Sequence, residues 1–120
     1  MATTYYDAED CYTVTADSYP LEVDVRIGEG QGGGYLIFNG TKLIGANTKA
    51  ALQSIDSSDL WLTVAATVKD KLKETNWTSV TVYLKDASKS KPVAFGPYKR
   101  EVDTHLDTVS YTVKLKIIKP

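Results

Sequence analysis

Alternating apolar and polar side chains are the clearest pattern along this chain. From Leu21 to Ile27 every odd position is apolar and every even position is charged, which is the period of two of a half-buried β-strand. The same alternation runs over Leu60–Lys69, Val80–Lys85 and Val109–Ile117. The pattern predicts four strands, each with one buried face, and we expect the last and longest run to close the sheet.

A hairpin is predicted around Asn39-Gly40. This dipeptide separates Tyr35–Phe38 from Thr41–Ile44, and both flanking segments read as strands. Asn-Gly readily adopts the two positive φ angles that a type I′ turn requires. We therefore expect Asn39 and Gly40 to be the two central residues of the turn.

Two further segments carry weaker strand signals. Cys11–Ala16 alternates over a short stretch, and Pro92–Val102 is interrupted by Gly96-Pro97. Because Pro97 has no backbone N–H to donate to a ladder, we expect the second of these strands to be bent there or to lie at a sheet edge.

The helical signals are weak. In residues 47–55, Asn47 could cap one short helix. Residues 64–75 also contain apolar side chains spaced four apart, but the alternation of Thr and Val there favours a strand. Short strands separated by turn signals predict an all-β fold, an antiparallel β-sandwich (immunoglobulin-like or jelly-roll-like) of about seven to eight strands. Residues 1–120 are expected to form a single domain.

Composition excludes several classes of function. The chain has 120 residues, 14 basic and 15 acidic side chains, and a formal net charge of -1. This balance gives no bulk attraction for phosphate backbones, so we expect no nucleic-acid partner. We also expect no membrane insertion, because no apolar run is long enough to span a bilayer. The start of the chain lacks a signal-peptide pattern, so the chain as written is expected to be cytoplasmic, whereas a trimmed leader would indicate an extracellular protein.

Charge is distributed unevenly along the chain. Residues 1–60 carry 3 basic and 9 acidic side chains, whereas residues 61–120 carry 11 basic and 6 acidic ones. Because a sandwich mixes early and late strands, we expect the two halves to interleave in space. The alternative is a molecule with an acidic and a basic patch, suited to stacking head to tail or to docking on a charged partner.

A glycine-rich segment resembles a nucleotide-binding loop only in its letters. Gly28, Gly30 and Gly33 match the spacing of a dinucleotide-binding fingerprint. That fingerprint needs a following helix, whereas the residues after Gly34 predict a strand and a hairpin. We interpret the segment as a flexible connection between strands.

The chain has one histidine and one cysteine, which excludes an internal disulfide and the multi-histidine metal sites. His105 lies between Asp103 and Asp107, but no Gly-x-Ser-x-Gly nucleophile motif accompanies it. We interpret His105 as a turn residue and Cys11 as a buried or half-buried strand residue. No catalytic, metal or cofactor site is predicted.

Aromatic residues supply the binding candidates, because Trp and Tyr rings stack on sugars and anchor protein interfaces. The candidates are Trp61, Trp77, Tyr83 and Tyr98. If residues 60–68 and 80–84 form a hairpin with even positions inward, Trp61 and Tyr83 lie close together on its outer face. The alternative is that a second sheet or a crossing loop covers these rings.

These observations favour a non-enzymatic module that acts through protein–protein contacts, either with a protein partner or by self-association. Long strands and sheet edges suit this kind of contact. The first alternative is a carbohydrate-binding module that uses the exposed aromatic residues. A more remote alternative is a small hydrolase built on His105.

Overall fold

A computed structural model describes residues 3–29, 31–53, 59–71 and 75–119 of the chain. These residues form nine β-strands and one short 3-10 turn at Ala16–Ser18. The strands are β1 (Thr3–Thr13), β2 (Leu21–Ile27), β3 (Gly32–Asn39), β4 (Lys42–Ala46), β5 (Ala50–Leu52), β6 (Asp59–Lys69), β7 (Trp77–Lys85), β8 (Val93–Glu101) and β9 (Thr108–Ile118).

Two sheets form the molecule. The first has five strands in the order β1-β9-β6-β3-β4, and the second has four in the order β5-β2-β7-β8. All strand pairs are antiparallel except β1 and β9, which run parallel over 11 residue pairs. The all-β sandwich is therefore confirmed, with nine strands instead of seven to eight. Strand β9 lies inside its sheet between β1 and β6, so the expectation that it closes the sheet is wrong.

The buried side chains are those that the alternation predicted. Odd positions of β2 and β9 and even positions of β6 and β7 face the space between the sheets, as Leu21, Leu62, Leu84 and Leu115 illustrate with no exposed surface. Inside this core, the Tyr111 hydroxyl of β9 shares a hydrogen bond of 2.6 Å with the Thr78 hydroxyl of β7. This bond joins the two sheets and satisfies two buried polar groups.

The predicted hairpin is confirmed, but its turn is shifted by one residue. Strands β3 and β4 pair antiparallel, with Asn39 opposite Lys42. Gly40 and Thr41 are thus the two loop residues, and Gly40 has a φ of 61°. A turn with glycine at its first central position needs a positive φ only there, so Asn39 remains in the strand.

The structure corrects the expected helix near residues 47–55. Asn47 has a φ of 55°, and its backbone N–H donates to the Tyr35 carbonyl at 2.8 Å. Its side-chain Oδ1 accepts from the Tyr35 N–H at 2.8 Å. Asn47 therefore continues the hydrogen bonding between β3 and the residues after β4, and it does not cap a helix. Strand β5 follows at Ala50–Leu52. Residues 54 and 55 lie outside the described part of the chain.

The first strand also differs from the prediction. The pattern placed it at Cys11–Ala16, whereas β1 covers Thr3–Thr13 and Ala16 belongs to the 3-10 turn. Strand β1 has only partly buried inward side chains, among them Tyr6 and Tyr12, because it lies at the sheet edge. An edge strand alternates less clearly than a central one.

The expectation for Pro97 is confirmed. Strand β8 is an edge strand of the four-stranded sheet, and its register against β7 shifts between Val80 and Val82. The bulge consists of Gly96 and Pro97 of β8, which lie opposite Thr81 of β7, at a position where proline cannot donate to a ladder.

Asp86 is a buried carboxylate at the end of β7. It accepts hydrogen bonds from the hydroxyls of Tyr12 at 2.6 Å, Ser18 at 2.9 Å and Ser88 at 2.6 Å. Burial alone would raise the pKa of Asp86, but bonds from Ser88, Tyr12 and Ser18 outweigh it and hold the pKa well below its usual range. The cluster joins β1, the 3-10 turn and the loop after β7.

Gln31 connects the loops at the opposite end of the sandwich. Its buried amide Nε2 donates to Asp70 Oδ1 at 2.9 Å and to the Trp77 carbonyl at 3.0 Å. Its Oε1 accepts from the Lys71 N–H at 2.8 Å. These bonds hold the end of β6 against the start of β7.

Candidate functional site

The structure places Trp61 and Tyr83 on opposite faces of the molecule. Trp61 belongs to β6 in the five-stranded sheet and Tyr83 to β7 in the four-stranded sheet. The even positions of both strands point inward, as predicted, so each ring lies on the outer face of its own sheet. The expected β6–β7 hairpin is wrong, because the chain crosses from one sheet to the other between Lys69 and Trp77.

Trp77 and Tyr98 lie elsewhere. Trp77 is 43% exposed and shares an outer face with Tyr83, but the two residues lie six positions apart in an extended strand, a distance of about 20 Å. Tyr98 points inward from β8, with its ring centroid 6.2 Å from that of Tyr6. Its hydroxyl is buried without a hydrogen-bond partner among the described residues, and burial raises its pKa. The four candidates thus form no common platform.

An apolar surface lies on the outer face of the five-stranded sheet. Leu36, Leu43 and Trp61 are 39%, 50% and 42% exposed, and Phe38 lies between the two leucines in the register of β3 and β4. The sequence contained a signal for this surface. Tyr35–Phe38 is apolar at both odd and even positions, which is typical of a strand with two apolar faces.

The four edge strands differ in how well they are protected. Strand β4 has five residues and a bulge, β5 has three residues, and β8 contains the bulge at Pro97. Strand β1 has 11 residues in unbroken register with β9 and contains no Pro, Lys or Arg. Short length, bulges and proline protect an edge, and β1 has none of these. Its acidic side chains are the one protective feature that it carries, because charges disfavour pairing with another edge. We call β1 the open edge of the described structure.

Acidic side chains follow this open edge. Asp7 and Glu9 lie on the outer face of β1, and Asp10 is exposed on the other side. Lys114 of β9 is the cross-strand neighbour of Glu9. Among the described residues, Asp7 and Glu9 form no ion pair within 4.0 Å. We call β1 with these three acids the acidic edge.

A groove lined mainly by charged residues lies on the outer face of the four-stranded sheet. It has a volume of about 330 Å³ and contains the side chains of Glu22, Asp24, Arg26, Lys49, Tyr83 and Lys85. In the register of the sheet, Tyr83 lies beside Asp24 of β2 and beside Ala94 of β8. We call this feature the Tyr83 groove; sequence patterns identified Tyr83 but not its neighbours, because β2 and β7 are far apart in the chain.

Cys11 and the glycine-rich segment differ from their predictions. Cys11 is exposed on the outer face of β1, because its alternation belongs to an edge strand and its side chain points outward. The second half of the glycine-rich segment is not a loop, since Gly32–Gly34 begins strand β3 and pairs with β6.

His105 lies in the turn between β8 and β9. The Asp107 carboxylate accepts a hydrogen bond from the Thr104 N–H at 3.2 Å, and the Asp107 N–H donates to the Thr104 carbonyl at 3.1 Å. His105 Nδ1 is buried and has no hydrogen-bond partner among the described residues. The surroundings of Asp107 are those of a turn-forming carboxylate.

The described residues contain neither a candidate metal site nor a helix that could span a membrane. Within the described ranges, no three His, Cys, Asp or Glu side chains come together in a way that could hold a metal ion. In the same part of the chain, no helix has the length and apolar character needed to cross a bilayer.

Comparison with known proteins finds no matching family model, no similar curated protein and no similar solved structure. The acidic edge, the apolar surface and the Tyr83 groove are therefore the features that can indicate a function.

Proposed function

We propose that this chain is a protein-binding module that takes up an extended segment of a partner along β1. The observation that carries the proposal is the open edge: 11 residues in unbroken register, without the short length, bulges or proline of the other described edges. An added strand would bond to the outward N–H and C=O groups of β1 and continue the five-stranded sheet. It would replace the Asp10 carboxylate, which accepts a hydrogen bond from the Cys11 N–H at 2.9 Å. In this proposal the chain acts by binding and not by catalysis.

The charge of β1 selects among partners. When two β1 strands pair antiparallel about Ala8, Asp7 of each copy comes opposite Glu9 of the other. Like charges directly opposite each other destabilise a strand pair, so the acids oppose pairing of β1 with itself. They favour an extended segment with Lys or Arg at alternate positions, which would place its cations beside Asp7 and Glu9.

The test uses a short capped peptide of alternating Lys and Val, labelled for fluorescence anisotropy, and a matched peptide with Glu in place of Lys. We expect the Lys peptide to bind and its affinity to fall as salt is raised, because the charges are solvent-exposed. The double variant Asp7→Lys, Glu9→Lys should weaken binding by about tenfold or more. Equal binding of the two peptides would overturn the proposal.

A control variant makes the same charge change elsewhere. Asp17 and Asp103 are exposed acids outside the sheets, so Asp17→Lys, Asp103→Lys should bind the Lys peptide as the native chain does. Loss of binding in this control would mean that net charge, and not the acidic edge, attracts the peptide.

Self-association is tested separately by light-scattering mass after size exclusion, over a range of protein concentrations and at low and high salt. The acidic edge predicts a monomer at low salt, where repulsion between β1 strands is strongest. An oligomer at low salt that the Asp7→Lys, Glu9→Lys variant does not form would show that a second copy occupies β1, which contradicts the proposed basic partner.

A further inference from the structure

We infer that the Tyr83 groove binds a neutral sugar, with one pyranose ring stacked on the Tyr83 side chain. The groove lies on the four-stranded sheet, whereas the acidic edge belongs to the five-stranded sheet. The inference is therefore independent of the proposed strand addition.

Tyr83 provides an aromatic surface in a groove that is otherwise lined mainly by charged side chains. It is half-buried between Asp24 on β2 and Ala94 on β8. Ala94 contributes only a methyl group, so this neighbour covers little of the Tyr83 ring. An aromatic ring combines an apolar body with a polar group at its tip, which suits a ligand with C–H groups on one face and hydroxyls at its rim.

Hydrogen bonds and an ion pair orient the polar groups of the groove. Asp24 accepts from the Val25 N–H at 2.9 Å through one carboxylate oxygen and pairs with Arg26 at 2.9 Å through the other. The Lys85 ammonium donates to the backbone carbonyl of Lys89. Groups held in this way lose little conformational freedom when a ligand binds, and preorganisation favours affinity.

The groove carries nearly balanced charge. Glu22 and Asp24 lie around the same space as Arg26, Lys49 and Lys85, and Asp24 is paired with Arg26, so both hydrogen-bond donors and acceptors face the ligand. A neutral polyol can accept hydrogen bonds from the cations and donate them to the carboxylates. The groove volume, about 330 Å³, lies at the lower end of the usual range for small-ligand sites of about 300–1,000 Å³, which is compatible with one or two sugar rings.

The experiment measures binding of neutral tetrasaccharides of glucose, mannose, galactose and xylose by isothermal titration and by NMR shifts. We expect at least one to bind with a dissociation constant of about 1 mM or tighter. Tyr83→Ala should weaken that binding by about tenfold or more, and Tyr83→Phe should keep most of it because the ring remains.

Two control variants remove aromatic rings from the other sheet. Tyr5 is 75% exposed on β1 and Trp61 is 42% exposed on β6, so Tyr5→Ala and Trp61→Ala should bind sugar as the native chain does. The inference is overturned if none of the four sugars binds at about 10 mM, if Tyr83→Ala binds normally while folded by circular dichroism, or if a control variant loses binding.

The two proposals fail separately. Asp7→Lys, Glu9→Lys should lose the Lys peptide and keep the sugar, whereas Tyr83→Ala should lose the sugar and keep the peptide. Loss of both ligands in either variant would contradict the assignment of two sites.

Discussion

Asp86 shows how this sandwich accommodates a charge in its interior. The side chain is 1% exposed, and a buried carboxylate is strongly destabilising unless donors surround it. Tyr12, Ser18 and Ser88 supply those donors. Burial, together with the hydrogen bond to Asp86, raises the pKa of Tyr12 to about 12. The sequence contained no sign of this cluster, because its members come from three separated segments.

The cluster predicts a pH-dependent effect of Asp86→Asn. The folded pKa of Asp86 lies below the unfolded value of about 3.9, so its stabilisation is present above that value and is lost as pH falls towards the folded pKa. Near pH 7, we expect Asp86→Asn to lower the free energy of unfolding by about 2–3 kcal/mol, because charge-assisted bonds are lost. Near pH 3, the difference from the native chain should shrink.

Urea denaturation at both pH values measures this difference. Asp17→Asn is the matched control, because Asp17 is an exposed acid in the 3-10 turn beside Ser18. We expect it to change the free energy of unfolding by less than about 0.5 kcal/mol. An Asp86→Asn effect of the same size at both pH values would argue against a lowered pKa.

Strand β3 begins with three residues whose type does not favour a strand. Gly32, Gly33 and Gly34 have poor strand propensity, yet all three pair with β6. A Cβ at Gly33 would collide with the backbone carbonyl oxygen of Thr67 on β6. Close approach of two backbones, and not flexibility, therefore explains glycine at this position.

We predict different effects for alanine at two neighbouring glycines. Gly33→Ala should lower the free energy of unfolding by about 1–3 kcal/mol, because the strand backbone must shift. At Gly32 the three atoms nearest to the added Cβ all belong to the Lys71 side chain, at 2.8 Å, and that side chain can move. Gly32→Ala should therefore change stability by less than about 0.5 kcal/mol. Equal losses in chemical denaturation of the two variants would refute the backbone-contact explanation.

At the scale of the whole molecule, the acidic first half and the basic second half interleave, as expected. Glu9 of β1 lies beside Lys114 of β9, and Glu29 forms an ion pair with Lys99 at 3.2 Å. Both sheets combine early and late strands around one shared core. The acidic edge persists because β1 has a neighbouring strand on only one side.

A shared core predicts that the two sheets unfold together. Trp61 reports on the five-stranded sheet and Trp77 on the four-stranded sheet, so Trp77→Phe and Trp61→Phe each leave one reporter. In each variant, the urea midpoint from Trp fluorescence should equal the midpoint from far-ultraviolet circular dichroism, as two-state unfolding requires. Separate midpoints would mean that the sheets unfold as independent units and would contradict the expectation of a single domain.

The amino-acid sequence by itself determined which face of most strands is buried. Side chains of an extended strand alternate because of local backbone geometry, so Leu21, Leu62 and Leu115 could be assigned to the core from their positions alone. The hairpin at Gly40 and the edge position of Pro97 follow from equally local properties, a positive φ and a missing N–H.

Only the tertiary structure decided which strands are neighbours. Strand β6 pairs with β3 and β9 and not with β7, which separates Trp61 from Tyr83, and β1 pairs parallel with β9 at the far end of the chain. Pairing depends on competition among segments distant in sequence, which alternation within one strand does not encode. The acidic edge and the Tyr83 groove both arise from such long-range pairs, and local patterns therefore revealed Tyr83 but neither surface.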